Sequence, residues 1–392
     1  MHMGKCLKNG AGFDLNLYNT VVQSTPTQNI FLSPASISLA LGMTAAGAGG
    51  STLKQMLTVL NVKTLDELSK RSTQISAFIT SATDDEKMKI KVANRLYIQK
   101  KFSVKQNYMD LLQSTYMSSI ERVDFETNPS ATVNLINSWV ESQTNNMIKD
   151  LLSSDDVNSG TRLILVNCIY FKGQWVKSFN ADETTKDNQF YLEDGTTIPD
   201  YTLMVQKQKF NYVDATNELN ARILHIPYQN SKNDMNFVFT IILPNENEKL
   251  ANVESKLLND KTLKQLNKNQ EKTVVKLYLP KFKMDYELSV KETLNKLGIQ
   301  DAFDGNRADF SGITGDQSLF LSDIKHKARI EVTELGTEAA AATAAIIMMK
   351  AAIQRPQLIE FRCDRPFLFM IREQNSDITL FQGRFMKPVA AE

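Results

Sequence analysis

The apolar positions change spacing along the chain. Ile37–Ala46 and Leu53–Leu60 carry apolar residues at helical intervals, with Gly47, Gly49 and Gly50 breaking the run between them. Leu65–Thr80 continues the helical spacing. Lys87–Gln99 switches to alternation, with Ile90, Val92 and Leu96 among polar neighbours, which predicts a strand. Val104–Tyr116 and Ala131–Leu152 read as helices. Arg162–Phe171 is apolar on both faces, as a strand buried on both sides would be. From Gln189 to Leu243 several strands follow, punctuated by Gly, Asn, Asp and Pro. Val253–Leu266 and Leu288–Leu297 read as helices around a strand at Thr273–Phe282. Ala328–Glu334, Leu358–Phe361, Phe367–Arg372 and Ile378–Phe385 read as strands. Helices dominate early and strands late, a segregation that predicts an α+β fold.

Composition narrows the function classes. The 392 residues are 42% hydrophobic and 23% charged, so disorder is excluded as the main state. The chain carries 45 basic and 44 acidic side chains, and a net charge of +1 gives no overall nucleic-acid footprint. No linker rich in Pro, Gly or Ser divides it, so residues 1–392 are expected to form one domain. No apolar run reaches the length of a membrane span. Met1 to Asn9 is polar and lacks a signal-peptide core. The chain has 31 Asn and no Asn-x-Ser/Thr acceptor, because Asn128-Pro129-Ser130 is disqualified by its proline.

Catalytic and metal motifs fail one after another. Three cysteines (Cys6, Cys168, Cys363) allow at most one bridge, and three histidines (His2, His225, His326) are too dispersed for a local metal motif. No metal or cofactor is expected. Gly47-Ala48-Gly49-Gly50-Ser51-Thr52 lacks the third glycine of a dinucleotide loop and the Gly-Lys-Ser/Thr of a nucleotide loop; it reads as a helix-terminating turn. The hydrolase elbow G-x-S-x-G is absent, so an enzyme is disfavoured.

Residues 328–350 are the unusual stretch. A strand runs into Gly336-Thr337 and then Glu338-Ala339-Ala340-Ala341-Ala342-Thr343-Ala344-Ala345. One reading is a short alanine-rich helix. The other is a segment able to become a strand: Thr337, Ala339, Ala341, Thr343 and Ala345 would share one small, uncharged face, and Glu338 would lie on the opposite face. Ile346-Ile347-Met348-Met349-Lys350-Ala351-Ala352-Ile353 follows, and four large apolar residues in a row before a lysine suit an exposed bait better than a core helix.

Glu331 to Thr343 (EVTELGTEAAAAT) resembles the hinge of the serpins, the serine-protease-inhibitor superfamily. Asn29–Ile37, Leu165–Trp175, Leu279–Phe282, Ala308–Gly312, Arg365–Phe369 and Gly383–Phe385 resemble further blocks of that family, in its order and along nearly the whole chain. The resemblance implies a serpin fold with three β-sheets, about nine helices and an exposed reactive-centre loop at roughly 334–357. It implies a suicide-substrate inhibitor: a protease attacks the loop, and the cut loop inserts as a central strand while the acyl-enzyme is trapped. The scissile bond, counted 14 residues beyond Gly336, would be Lys350-Ala351, which suits a trypsin-like protease in a covalent complex. Met348 and Met349 flank it, and Met349 leaves a chymotrypsin- or elastase-like target open. The hinge would comprise Glu334, Gly336, Thr337, Glu338, Ala339, Ala340, Ala341, Ala342 and Thr343. Ser33, Ser36, Asn167 and His326 resemble the polar cluster where the central strands part; Glu334 and Lys281 resemble an ion pair above it, and Trp175 the aromatic below the insertion point. The rival within the family is a non-inhibitory binding, carrier or chaperone protein. Heparin binding is not expected, because Leu65–Thr80 holds only Lys70 and Arg71 against Asp66 and Glu67. A monomer acting outside the cell is the family expectation; the missing signal, sequons and paired cysteines favour the cytoplasm instead.

Overall fold

The computed structural model describes residues 12–83, 87–229, 236–258, 262, 266, 269–316, 318–336, 358–376 and 378–388. In chain order the elements are α1 (Phe13–Ser24), β1 (Ile30–Leu32), α2 (Pro34–Ala45), α3 (Gly50–Val59), α4 (Leu65–Thr83), β2 (Met88–Gln99), α5 (Gln106–Tyr116), β3 (Ile120–Val123), α6 (Pro129–Gln143) and β4 (Leu163–Gly173). Then come β5 (Thr185–Tyr191), β6 (Thr197–Ala215), α7 (Thr216–Leu219), β7 (Ala221–Pro227), β8 (Phe237–Pro244), α8 (Leu250–Leu257), β9 (Glu271–Pro280), β10 (Phe282–Ser289) and α9 (Val290–Leu297). The chain finishes with α10 (Ser311–Thr314), β11 (Asp323–Val332), β12 (Ile359–Arg362), β13 (Phe367–Glu373) and β14 (Ile378–Phe385).

The strands form two hydrogen-bonded sheets. A five-stranded sheet has the order β10-β11-β4-β2-β3, and a nine-stranded sheet runs β1-β14-β13-β8-β7-β6-β9-β12 with β5 also on β6. The expected three sheets become two because β6 is 19 residues long. Residues Thr197–Leu203 pair with β5, Leu203–Tyr212 with β9 and Asn211–Ala215 with β7, so one strand fuses two sheets.

Helix α2 sits at the centre, with all twelve residues buried, packed against β4 and β14. A helix that is apolar all round has to be enclosed on every side. Ser33 starts it by accepting the Ser36 N–H, and Pro34 occupies the first turn, where no N–H is needed.

The apolar run at Arg162–Phe171 serves two cores. Leu163, Leu165, Ile169 and Phe171 face the main core around α2. Ile164, Val166, Cys168 and Tyr170 face a second cluster beneath α6. That second cluster corrects the long helix expected at Ala131–Leu152. The helix stops at Gln143, and Asn145 and Asn146 adopt left-handed φ of 53° and 60°. Ile148, Leu151, Leu152 and Val157 are apolar because they pack as an irregular segment over β4, not as a helix. Two other boundaries shift. The expected Val253–Leu266 helix begins at Leu250 and runs to Leu257, with Thr262 and Leu266 again helical; Leu288, expected to open a helix, lies in β10, a strand not expected from the spacing.

Candidate functional site

Strands β4 and β11 are parallel neighbours at the middle of the five-stranded sheet, with His326 paired to Asn167 and Asn167 to Asn94 of β2. These three polar side chains form one row across the core-facing surface. The backbone N–H of Ser33 donates to His326 Nε2 at 3.2 Å, which leaves the ring proton on Nδ1, 2.6 Å from Asn167 Oδ1. Ser36 Oγ donates to the same oxygen at 3.0 Å, and Asn167 Nδ2 donates to Ser36 O and Asn94 Oδ1. Ser33 Oγ donates to Leu380 O of β14 at 2.6 Å. Ser33, Ser36, Asn167 and His326 are therefore brought together, all fully buried. Burial pushes His326 down to about 3, so the ring is neutral. A strand entering between β4 and β11 would double their spacing from about 4.8 Å and break the His326–Asn167 bond.

The chain leaves β11 through a tight turn. Thr333 N and Thr333 Oγ1 both donate to Gly336 O at 2.7 Å, and Gly336 N returns to Thr333 O at 3.2 Å. Gly336 has φ +137° and bridges Gln174; a Cβ there would lie 2.1 Å from Gly173 O. No other residue type fits. Trp175 holds the turn from beneath: its indole N–H donates to Thr333 O and its backbone N–H to Leu335 O, both at 3.0 Å. The ring stacks on Tyr228 with centroids 4.5 Å apart. Glu334 pairs with Lys281 at 3.0 Å and accepts from Thr184 Oγ1 at 3.2 Å. Its partial burial alone would raise its pKa, but its hydrogen bonds and Lys281 bring it below the ordinary glutamate value.

The outer face of β11 is tied to the segment between α6 and β4. Lys325 pairs with Asp156, in a short 3₁₀ turn, and with Asp323. Lys327 Nζ donates to Lys149 O at 2.8 Å, and Arg329 Nη1 to Met147 O at 2.9 Å. Three alternate basic residues thus reach across the β4–β11 seam.

Thr337 to Thr343, Met348, Met349, Lys350 and Ala351 lie outside the described residues. Sequence reasoning missed Asn94, Thr333, Gln174 and Tyr228. For Asn94 a signal existed: it interrupts the inward row Met88, Ile90, Val92, Leu96, Ile98. Among the described residues no cluster could hold a metal, and Cys168 and Cys363 are buried thiols whose pKa values burial raises. No described helix is long and apolar enough to cross a membrane.

The buried polar latch across the β4–β11 seam and the glycine-dependent exit turn agree with the comparisons. A model described as Serpin (serine protease inhibitor) matches residues 8–388, and the chain belongs to that family. Human Serpin B3 is 38% identical over 378 residues, covering 92% of this chain and 94% of its own. The leukocyte elastase inhibitor of Xenopus laevis is 36% identical over 380 residues, covering 96% and 97%. A crystal structure of human thyroxine-binding globulin superposes with a TM-score of 0.85 at 32% identity, covering 97% of each chain. The fold is the serpin fold, and the protein is a serine protease inhibitor, not an enzyme; its partner is a serine protease.

Proposed function

We propose that this serpin inhibits trypsin-like proteases as a one-use substrate cut at Lys350-Ala351. The parallel β4–β11 seam carries the reading. A segment folding back after Gly336 would run antiparallel to β11 and to β4, replacing one parallel pairing with two antiparallel ones, the more stable kind. The small, uncharged face from Thr337 to Ala345 suits that slot, and Lys350 suits a specificity pocket that ends in a carboxylate. In this reading Ser33, Ser36, Asn167 and His326 form the latch of the seam, while Lys281, Glu334 and Trp175 hold the exit turn. The chain works as one domain and as a monomer, without cofactor. Its site of action is taken as extracellular on family grounds, and fractionation of expressing cells tests that against a cytoplasmic one.

Incubation with trypsin should give a complex that survives SDS and release a C-terminal peptide beginning at Ala351. Lys350→Ala should abolish the complex and leave the fold intact. Cleavage without complex would overturn the inhibitory reading and favour a carrier, a role the fold supports in thyroxine-binding globulin. A second reading rests on the relatives named leukocyte elastase inhibitors and on Met348-Met349: an elastase-like enzyme cutting after Met349. The mass of the released peptide separates the two.

A further inference from the structure

Strands β6, β9 and β12 lie side by side in the nine-stranded sheet, and their register sets cations together on the solvent face. Lys207 of β6 stands directly opposite Lys276 of β9; Lys209 stands opposite Val274, and Lys272 opposite Asn211. Arg362 of β12 joins the same face opposite Tyr278. Over Leu203–Tyr212 of β6 and the whole of β9 and β12, this face carries these five cations and one carboxylate, Glu360, beside Lys276. Lys207, Lys209 and Lys272 are exposed and have no ion pair or hydrogen-bond partner among the described residues. Lys276 lies 5.0 Å and Arg362 3.8 Å from the Tyr278 ring centroid, which holds both charges at the surface, and Arg362 also donates to Asn188 Oδ1 at 3.2 Å. Like charges directly opposite on neighbouring strands destabilise a sheet, so Lys207 against Lys276 is a cost that the fold itself does not recover.

The patch lies at the root of the reactive loop. Strand β12 begins at Ile359, eight residues beyond Ala351. Eight extended residues span at most about 29 Å. A domain of about 200 residues has a radius of gyration of about 16 Å, hence a diameter of about 40 Å. A protease that clasps the loop at Lys350 therefore reaches the patch with the rim of its cleft. We propose that Lys207, Lys209, Lys272 and Lys276 form a docking surface for acidic side chains on the rim of the target protease. This deepens the inhibitory reading above and rests on it: Lys350 sets which bond is cut, and the patch sets which enzyme arrives. Opposite charge across an interface acts mainly on association rate and on choice of partner, and salt screens it.

Anionic and cationic trypsin, which share a preference for lysine and differ in surface charge, test the surface. Each is mixed with the wild-type protein and with Lys207→Gln/Lys209→Gln at low and at high salt. Loop attack is read on gels as complex plus cleaved chain, so it is counted whether or not the enzyme is trapped. At low salt, anionic trypsin should attack the wild-type loop at least about fivefold faster than the variant's, and high salt should remove the difference. Cationic trypsin should show no such loss. The variant's thermal midpoint should not fall, because both lysines are exposed and unpaired and one is repelled by Lys276. Equal rates of wild type and variant with anionic trypsin, or an equal loss with both trypsins, overturn the docking surface. Retention of the wild type alone on an immobilised sulfated polyanion would then assign the patch to polyanions instead. Loop attack with the expected charge and salt dependence but no SDS-stable complex contradicts the inhibitory reading and leaves the surface standing.

Discussion

Loosening the outer face of β11 should speed loop insertion. The segment 144–162 is anchored on one side by core packing: Ile148, Leu151, Leu152 and Val157 are buried against β4 residues. On the other side Lys325, Lys327 and Arg329 of β11 hold it, and the Arg162 N–H donates to Ser322 Oγ just before that strand. When the seam opens, the segment stays with β4, and the polar ties to β11 must break. Lys327→Met keeps the stem but removes the 2.8 Å bond to Lys149 O and the 3.3 Å pair with Glu287. Arg329→Met removes the 2.9 Å bond to Met147 O and the 3.6 Å pair with Asp285. Charge-assisted bonds can reach 3 kcal/mol, but water reaches these groups, so each is worth about 1 kcal/mol. The double variant then loses about 2 kcal/mol from the closed state, and its midpoint should fall by about 2 °C. If the ties are fully lost at the barrier, insertion accelerates up to about thirtyfold. Stopped-flow mixing with trypsin, read as the rate of complex formation and the fraction of inhibitor cleaved without trapping, checks this. A lowered midpoint with an unchanged insertion rate would refute the reasoning, because the ties would then survive the opening.

Three further outcomes are expected. His225 and His326 are both depressed to about 3 by burial, so each is neutral when folded and protonates near 6.5 when unfolded. Their stability contribution is complete above pH 6.5 and is lost as pH falls toward 3, about 2 kcal/mol each by pH 5; denaturant midpoints at pH 7 and pH 5 test the sign. Gly336→Ala should cost about 2 kcal/mol, because its Cβ would collide with backbone; an unchanged melting curve would contradict the turn geometry. Thr337→Arg should turn inhibitor into substrate by requiring a charge to be buried on insertion, visible on a gel as cleaved chain without complex.

Much of the architecture could be read from periodicity. The strands Met88–Gln99, Leu163–Gly173 and Ile378–Phe385 fall within two residues of their expected limits. Failures have physical causes. Leu151 and Leu152 are apolar for packing without being helical, so spacing alone extended α6 too far. Strand β10 alternates Phe282, Met284, Tyr286 and Leu288 with charged residues, a legible signal lost because β9 runs into it after Lys281. At the site, side chains that meet through tertiary pairing (Ser33, Asn167, His326) were reachable only through resemblance. The exit turn depends on backbone atoms of Thr333, Leu335 and Gly173, which no side-chain pattern announces.

Strand β1 pairs with β14, setting Ile30 against Arg384. During translation, the first strand of the chain must therefore wait for nearly the last before its edge is covered. Until then β1 lacks its strand partner, and the face of α2 that packs on β14 stays uncovered. Such non-local closure slows folding and lengthens exposure to aggregation. Demand for chaperones should accordingly be greatest for ribosome-bound chains stalled before residue 378, and truncations that remove β14 should be degraded or insoluble even though they retain the whole reactive loop.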